Sequence, residues 1–420
     1  MKIAVIGAGI IGITTAWELA ADGHQVTVFE RRGAAAEEAS FANAGVVAPG
    51  YVTPWAAPSM PRKVLGHLLS RHAPVKLALP LSGAELAWMW KWWRACKLET
   101  WLANRTCLQR LAFYSRQRLH HVTAERKLEY DGSPGYMVLL RAESDARMVE
   151  PGLQILRDAG VNFRQVSPDE ARKIEPALNP DTAFLGAVHL PDDGVANCRQ
   201  FALLLKADAQ RLGVEFEFNK AVAHIQPAPS ATISIAGEPS PRAFDAVVVC
   251  AGVDSAALLR PVGLKIPLAA VYGYSLSATL REPLNAPRSA VMDERYKVAI
   301  SRLGNRVRVA GSAEIGGHPD RKSAAAIQTL YKVLHDWFPG AAHTSNGASV
   351  QEWKGARPML PDGPPVIGAS GLPGVWLNLG HGSSGWALSC GSARAVADLV
   401  AGKTPDIDMD GFGVSRLVGH

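Results

Sequence analysis

The sequence predicts an α/β chain with a Rossmann-like domain and a second domain of mixed α and β structure. Two strand–turn–helix units lie at opposite ends of the chain, at residues 2–21 and 375–399. Each has a glycine-rich turn directly after a short apolar strand, a pattern typical of parallel α/β sheets. Between them, residues 61–189 hold mainly helical patterns, and residues 263–344 hold a β-rich segment followed by a helix.

Size and composition support a soluble globular protein or one attached to a surface. The chain has 420 residues, 48% of them hydrophobic and 20% charged, which suits two or three folding units. This composition excludes a disordered chain, a collagen and a coiled coil. The five cysteines have no metal-binding spacing, so we expect neither a disulfide framework nor a bound metal, and a reducing, cytoplasmic location. No apolar run is long enough for a transmembrane helix.

The first glycine-rich turn has the sequence GAGIIG at residues 7–12 and opens a helix over 13–21. This is G-x-G-x-x-G between a strand and a helix, the context in which the motif indicates dinucleotide binding. Gly7 allows the tight turn, Gly9 lets a pyrophosphate approach the backbone, and Gly12 lets the helix pack on the strand. The helix N-terminus then offers free N–H groups and a partial positive charge to the phosphates.

The next residues favour FAD over a nicotinamide cofactor. Glu30 closes the second strand (25–29) and can accept hydrogen bonds from both ribose hydroxyls, which disfavours NADP. The segment SFANAG (40–45) then replaces the further β-α units that an NAD domain usually has. Its small residues let backbone amides approach a flat ring system, while Ser40 and Asn43 can hydrogen-bond the polar edge of the ring.

The second glycine-rich turn has the sequence GHGSSG at residues 380–385, between a strand (375–379) and a helix (386–399). Another buried strand, FDAVVVC (244–250), ends in Ala-Gly. If the C-terminal unit folds back on the first, its helix N-terminus points at the flavin and favours the negative charge of a reduced ring. The alternative is a C-terminal helix that only packs and has a glycine-rich cap.

Five segments together carry a family resemblance: the N-terminal fingerprint ending in Glu30, SFANAG, VVVCAG, GARPMLPDG (355–363) and LNLGHGSSGW (377–386). With them the chain resembles the D-amino-acid oxidase superfamily of FAD enzymes, and within it the bacterial D-amino-acid dehydrogenases, over essentially its whole length. Where a Thr or a bulkier apolar residue is expected in the last segment, this chain has Ser383-Ser384, which leaves the reactivity toward the electron acceptor open.

The resemblance implies a discontinuous FAD-binding domain (1–60, 190–262 and 345–420). It also implies a substrate domain built on a mainly antiparallel sheet (61–189 and 263–344). Val222 matches the position whose backbone reaches the adenine. The residues expected to bind FAD are Gly7, Gly9, Ile10, Ile11, Gly12, Glu30, Arg31, Arg32, Ser40, Asn43, Ala44, Gly45, Val222, Cys250, Ala251, Gly252, Gly380, His381, Gly382, Ser383, Ser384 and Gly385.

Four residues are candidates for the substrate site. Pro358 biases Arg357 toward extended geometry, so its guanidinium can project as a two-pronged donor. The resemblance implies that Arg357 binds the substrate carboxylate; a structural salt bridge is the alternative. Tyr51 and Tyr274 are candidate pocket hydroxyls, or half-buried packing aromatics. His381 is a candidate proton acceptor, although a His in a glycine-rich loop can equally pack or contact flavin through its backbone.

The resulting expectation is oxidative deamination of a D-amino acid by hydride transfer from Cα to flavin N5. The amine binds neutral or loses its proton to water, so no strong side-chain base is required. Electrons would pass to a quinone or another acceptor than oxygen. The alternatives are a D-proline or hydroxyproline dehydrogenase, and a glycine- or sarcosine-type amine oxidase that uses oxygen.

Residues 61–110 have an unusual composition: a local net charge of +7, while the remaining residues sum to −1, and five of the eleven Trp. Basic residues among Trp suit an interfacial helix on anionic lipid. Our hypothesis is that this segment docks the enzyme at the inner face of the membrane, near a membrane quinone. The alternative is a Trp-rich helix buried against the substrate domain. The basic residues are Arg62, Lys63, Arg71, Lys76, Lys91, Arg94, Lys97, Arg105 and Arg110.

Two other function classes fit less well. A nucleic-acid binder would explain basic residues among aromatics, but it would leave both phosphate-binding turns without a role, so no nucleic-acid partner is expected. A serine hydrolase would need G-x-S-x-G, and residues 382–385 are one residue short of it.

Overall fold

The computed structural model describes residues 1–58, 60–67, 72–344 and 349–417, with only the backbone for residues 63, 65 and 67. Its helices are α1 (Ile10–Ala21), α2 (Met60–His67), α3 (Gly83–Ala95), α4 (Leu98–Arg126), α5 (Glu143–Asp158), α6 (Pro168–Ile174), α7 (Cys198–Arg211), α8 (Ser255–Leu259), α9 (Ala324–Trp337) and α10 (Gly385–Val400). In the described part of the chain, no helix is both long and apolar enough to cross a membrane.

The strands of the first half are β1 (Lys2–Ile6), β2 (Gln25–Glu30), β3 (Val46–Val47), β4 (Val75–Ala78), β5 (Ser133–Leu140), β6 (Arg164–Val166), β7 (Gly186–Val195), β8 (Glu215–Phe218) and β9 (Val222–Gln226). Those of the second half are β10 (Ala231–Ile235), β11 (Arg242–Phe244), β12 (Ala246–Val249), β13 (Ala269–Thr279), β14 (Ala290–Asp293), β15 (Val298–Leu303), β16 (Arg306–Gly316), β17 (Val350–Met359), β18 (Val366–Ala369) and β19 (Val375–Leu379).

The two ends of the chain meet in one sheet with the strand order β18-β19-β12-β1-β2-β8. The pairs β19–β12, β12–β1, β1–β2 and β2–β8 are parallel, and only the edge strand β18 is antiparallel. The central strands are buried on both faces, as their continuous apolar runs predict. The predicted strands at 2–6 and 375–379 are confirmed, whereas α1 begins three residues earlier than predicted.

Helices α1 and α10 pack against each other on one face of this sheet. The hydroxyl of Thr14 in α1 donates to the carbonyl of Ser389 in α10. At the far end of the pair, the Arg394 guanidinium bonds the carboxylates of Glu18 and Asp22. The N-termini of the two helices therefore lie close together, although 375 residues separate their first residues.

A larger sheet has the main order β17-β13-β16-β15-β14-β5-β7-β3. Its pairs are antiparallel except β14–β5 and the side pairing of β4 with β16, so the predicted fold class, with a mainly antiparallel second sheet, is confirmed. One face packs against α9 and α6 around residues such as Leu276, Ile300 and Trp337. Alternation between the two faces leaves the opposite side chains free to line a cavity.

The observed sheets cross the predicted domain boundaries at three points. Residues 190–195 at the end of β7 were expected in the FAD domain but belong to the larger sheet. Residues 345–420 were expected in the FAD domain, but β17 pairs along its whole length with β13 at the edge of the larger sheet. Val46 and Val47, expected in the FAD domain as well, pair with β7 of the same sheet. The GARP segment that contains Arg357 lies beside the cofactor segments of the parallel sheet, yet its backbone forms part of the edge strand of the larger sheet. Residues 345–348 lie outside the described residues.

Candidate active site

A cavity of about 840 Å³ lies where the carboxyl ends of β1 and β12 meet one face of the larger sheet. Crevices at the carboxyl ends of parallel strands are the usual ligand sites of such sheets. Both glycine-rich turns, the 40–45 segment and the edge strand β17 contribute to its walls. Within the described residues, no three His, Cys, Asp or Glu side chains are grouped to hold a metal ion.

The first turn is shaped by close backbone approaches. Gly7 has a φ of +106°, and a Cβ there would lie 2.6 Å from the carbonyl oxygen of Cys250. A Cβ on Gly12 would lie 1.8 Å from the carbonyl oxygen of Gly7, so only glycine lets α1 start this close to β1. Beside Gly9 the nearest atom to such a Cβ is the Ser40 hydroxyl at 3.5 Å, and this residue faces the cavity.

The N-terminus of α1 is open toward the cavity. Gly9 provides no side-chain cap, and the first turn contains no acidic residue. The backbone N–H of Ile10 donates to the Ser40 hydroxyl at 3.0 Å, while Ile11 lines the cavity. The N–H groups of this turn other than that of Ile10, together with the helix dipole, favour an anion at this position.

Polar side chains at the end of β2 are held in place by one another. The two carboxylate oxygens of Glu30 accept hydrogen bonds from the backbone N–H groups of Ala8 and Arg32, each at 2.8 Å. Arg31 forms ion pairs with Glu38 and Asp254, at 2.5 and 2.7 Å. Glu30 is therefore fixed at the cavity wall, whereas the charge of Arg31 is neutralised within the protein.

The 40–45 segment is attached to the larger sheet. The Arg308 guanidinium donates to the carbonyl of Asn43 at 2.8 Å, and the Ser301 hydroxyl donates to the carbonyl of Ala44 at 2.8 Å. The side-chain oxygen of Asn43 accepts from the backbone N–H of Gly45, whose φ is +74°. Because the side chain of Asn43 is used in this turn, the segment presents mainly backbone to the cavity.

The second turn reaches the same cavity from the other end of the chain. His381 forms an isolated antiparallel bridge with Met359, at the end of β17. Its ring nitrogen Nε2 lies 3.0 Å from the Ser392 hydroxyl, and burial lowers the pKa of His381 to about 3. The ring is therefore neutral and a weak proton acceptor at neutral pH, which does not favour the candidate role of His381 as a base.

The cavity brings together most of the residues predicted for cofactor and substrate. Two predicted residues, Gly12 and Gly380, do not line it and serve packing instead: a Cβ on Gly380 would lie 2.4 Å from the Leu360 side chain. The predicted residues that line the cavity are Gly7, Gly9, Ile10, Ile11, Glu30, Arg31, Arg32, Ser40, Asn43, Ala44, Gly45, Tyr51, Val222, Cys250, Ala251, Gly252, Tyr274, Arg357, His381, Gly382, Ser383, Ser384 and Gly385.

Arg357 lines the cavity from β17 as a guanidinium without an acidic partner. Its Nη1 donates to the carbonyl of Ser312 at 2.9 Å, and Nη2 lies across Gly273, where a Cβ would be only 2.3 Å away. Burial lowers the pKa of Arg357 to about 10, so it stays charged at neutral pH. The salt-bridge alternative does not apply to the described residues, since none of their carboxylates pairs with Arg357.

The hydroxyls of the two candidate tyrosines already have partners. Tyr274 donates to Glu314 at 2.8 Å and accepts from the backbone N–H of Ser323. Tyr51 donates to Glu294 at 2.7 Å and accepts from Lys297 at 3.1 Å. Burial and the nearby charge of Glu294 raise the pKa of Tyr51, so its hydroxyl stays protonated. Both tyrosines line the cavity, but neither hydroxyl is free of the protein.

Comparison with known proteins identifies the family. The family model for DAO, FAD dependent oxidoreductase, matches residues 2–399. The chain belongs to this family. A D-amino acid dehydrogenase from Rhizobium rhizogenes (strain K84) is 40% identical over 418 residues, covering 99% of this chain and 100% of that protein.

Solved structures show the same fold at lower identity. Glycine oxidase from Geobacillus kaustophilus aligns with a TM-score of 0.75 at 23% identity, over all of both chains. L-proline dehydrogenase from P. horikoshii aligns with a TM-score of 0.73 at 17% identity, over 99% of this chain and 97% of that one. At these identities the likeness establishes the fold of this DAO-family chain, not its substrate.

The predicted cofactor, FAD, is confirmed by membership of the DAO family, and the residues present fit it. The uncapped N-terminus of α1 and the open space beside Gly9 suit a pyrophosphate. The N-terminus of α10 is uncapped as well and faces the same cavity. Which residues contact FAD stays a prediction for each position.

Sequence reasoning missed several cavity residues because no local pattern marks them. Trp353 lies in β17 with its indole over Gly355, where a Cβ would be 1.7 Å from the ring. Glu294 and Lys297 come from the β14–β15 connection, and Arg105 comes from α4. Gly355, in the segment GARP (355–358), is an indirect sign of a bulky neighbour such as Trp353. Glu294, Lys297 and Arg105 are recognisable as cavity residues only from the folded chain.

Replacing His381 with Gln is expected to make folding less sensitive to acid. With a pKa of about 3 in the fold and an ordinary value of 6.5, the unfolded chain binds the extra proton below pH 6.5. This residue therefore removes stability as pH falls from 6.5 toward 3, about 2 kcal/mol by pH 5. Urea unfolding of the holoprotein at pH 7.5 and 5 measures the difference. His318→Gln, at an exposed site, is the control; an unchanged pH dependence in His381→Gln would contradict this account.

Proposed function

We propose that this chain is an FAD-dependent dehydrogenase that oxidatively deaminates D-amino acids. Arg357 carries the proposal: a charged guanidinium that lines the cavity and lacks an acidic partner suits the carboxylate of an amino acid. The choice of D-amino acids rests on the 40% identity over 418 residues to a protein named D-amino acid dehydrogenase.

In the proposed reaction, the residues of this chain position the substrate. Nη1 of Arg357 is held by the carbonyl of Ser312, which leaves Nη2 and Nε to receive the carboxylate. The Trp353 indole beside it gives an apolar wall. FAD supplies the acceptor for the hydride that leaves Cα. The amine proton passes to water, since burial lowers the pKa of His381 to about 3 and makes its ring, bound to Ser392, a weak proton acceptor. Water then hydrolyses the imino acid to the 2-oxo acid and ammonia.

The proposal is tested by the spectrum and the substrate range of the purified protein. We expect a yellow protein with bound FAD that is reduced by D-amino acids under anaerobic conditions, and that turns over with a quinone or an artificial acceptor faster than with oxygen. The panel includes L-amino acids, D-proline, hydroxyproline, glycine and sarcosine. Preference for a cyclic imino acid or for glycine with oxygen would replace the proposal with one of its rivals.

Replacing Arg357 with Met should raise the KM for the amino acid roughly 10- to 100-fold, because one charge-assisted contact to the carboxylate is lost. FAD content should be unchanged. Gly273→Ala is a matched second variant, since its Cβ would displace the guanidinium without removing the charge. Steady-state kinetics and flavin absorbance measure both effects. An unchanged KM in Arg357→Met would remove the proposed role.

We also propose that α3 attaches the protein to an anionic membrane surface. Trp90 and Trp93 are 58% and 53% exposed, and their rings lie 5.0 Å apart. The basic residues Lys91, Arg94 and Lys97 are exposed beside them. Trp in the interface and Lys or Arg near anionic headgroups are the usual anchors of such helices. This surface would bring the enzyme close to a quinone dissolved in the lipid.

The remainder of residues 61–110 divides between the two hypotheses. Trp88, Trp92 and Trp101 are buried, as the packing alternative expects. Arg105 is buried as well, so it is not among the charges of this segment that face solvent. Arg71 and the Lys63 side chain lie outside the described residues.

The double variant Trp90→Ser/Trp93→Ser should lose most of its co-sedimentation with vesicles of phosphatidylglycerol and phosphatidylcholine. Binding of the unmodified protein should also fall as salt rises, since exposed charges are screened. Leu284→Ser, at another exposed apolar residue, is the control. Equal binding of the double variant and the unmodified protein would contradict attachment through α3.

A further inference from the structure

A second guanidinium without an acidic partner lines the same cavity. Arg105 in α4 is only 7% exposed, and no carboxylate of the described residues forms an ion pair with it. The four other arginines of the same helix all have such partners, namely Arg110 with Asp408, Arg116 with Asp193, Arg118 with Glu18, and Arg126 with Glu125 and Asp208. A buried charge without a partner is costly, so its presence beside a cavity calls for an explanation.

The surroundings of Arg105 hold the guanidinium without neutralising it. Its carbon Cζ lies 5.3 Å from the ring centroid of Trp101, and Nη2 donates to the carbonyl of Gly152 over a long 3.4 Å. A Cβ on Gly152 would lie 2.6 Å from Nη1. Burial lowers the pKa of Arg105 to about 10, so the group remains a cation at neutral pH. Among the described residues Nε has no hydrogen-bond partner and Nη2 has only the long one to Gly152, so the guanidinium keeps donors for a ligand.

The walls of the cavity on this side are mainly apolar. Helix α5 contributes one face and strands β5 and β7 contribute another, and the Tyr51 and Tyr136 rings lie 5.4 Å apart beside them. A small anion without an apolar group would make no contact with these walls. The apolar lining residues are Val138, Met148, Val149, Leu153, Leu156 and Leu190.

This region is separate from the Arg357 site. Arg357 lies on β17, and Tyr136 lies on β5; β13, β16, β15 and β14 run between these two strands. The Arg357 guanidinium itself reaches over β13 to the Ser312 carbonyl on β16, which leaves three strand spacings to β5, roughly 14 Å along the sheet. Because Arg105 lies near Tyr51 and hence on the Tyr136 side, the two arginines face different parts of the cavity.

We propose that the Arg105 side of the cavity is a second ligand site, which binds a small organic monocarboxylate with an apolar side chain. One guanidinium matches one carboxylate, and the apolar walls receive the side chain. If the proposed function holds, two molecules in the reaction have this chemistry: the amino acid and its 2-oxo acid product. The site itself does not depend on that function, since its evidence is independent of Arg357.

Calorimetric titration of the oxidised holoprotein with 4-methylpentanoate tests the site. This probe carries the carboxylate and the side chain but cannot be oxidised at an amine. We expect two binding events, of which one disappears in Arg105→Met and the other in Arg357→Met. Gly152→Ala should weaken the first about tenfold, because the new Cβ displaces a flexible guanidinium. Arg147→Met, which removes an exposed arginine of α5 that does not line the cavity, is the control.

The outcomes separate the two proposals. One binding event that is lost in Arg357→Met and unchanged in Arg105→Met and Gly152→Ala would overturn the second site. Probe binding that depends on Arg105 but not on Arg357 would support the site and count against the proposed substrate clamp. Competition by 4-methyl-2-oxopentanoate or by L-leucine then distinguishes a product site from an amino acid site. FAD content and thermal unfolding confirm that each variant is folded.

Discussion

The packing of α1 against α10 is the contact on which the site depends. Strands β1 and β19 flank β12 in one parallel sheet, so both helices start at the same sheet edge. The buried arrangement of Arg394 with Glu18 and Asp22 fixes their relative position, and breaking such a buried arrangement costs several kcal/mol. Two uncapped helix N-termini thereby face one cavity, which gives an anionic dinucleotide a binding surface assembled from both ends of the chain.

The distribution of arginine partners separates structure from function in this protein. Arg118 and Arg394 have short contacts to carboxylates and join helices. Arg308 donates to the backbone of Asn43 and holds a cavity wall. Arg357 and Arg105 instead keep their charge without an acidic partner at opposite sides of the cavity. A cation that the fold does not neutralise is available to an anionic ligand, and this property carries both the proposed substrate site and the proposed second site.

Much of the fold was predictable because local patterns and the sheets agree. The buried strands at both ends have continuous apolar runs, and the glycines of the first turn are required by contacts as close as the 1.8 Å between a Cβ on Gly12 and the Gly7 carbonyl. The division into domains was less predictable. Strands β17 and β3 pair with strands of the larger sheet, but they lie beside the cofactor segments of the parallel sheet. Pairing between residues 72 to 149 positions apart leaves no trace in a local pattern.

The sequence by itself determined the family, the cofactor and the position of Arg357, since each depends on a short motif whose residues act through their own backbone geometry. Only the tertiary structure decided which charges and hydroxyls are free. Tyr274 is bound to Glu314, His381 is buried against Ser392, and Arg105 proves to be a buried cavity residue. The physical reason is that the availability of a polar group depends on its neighbours in space, and those neighbours come from distant parts of the chain.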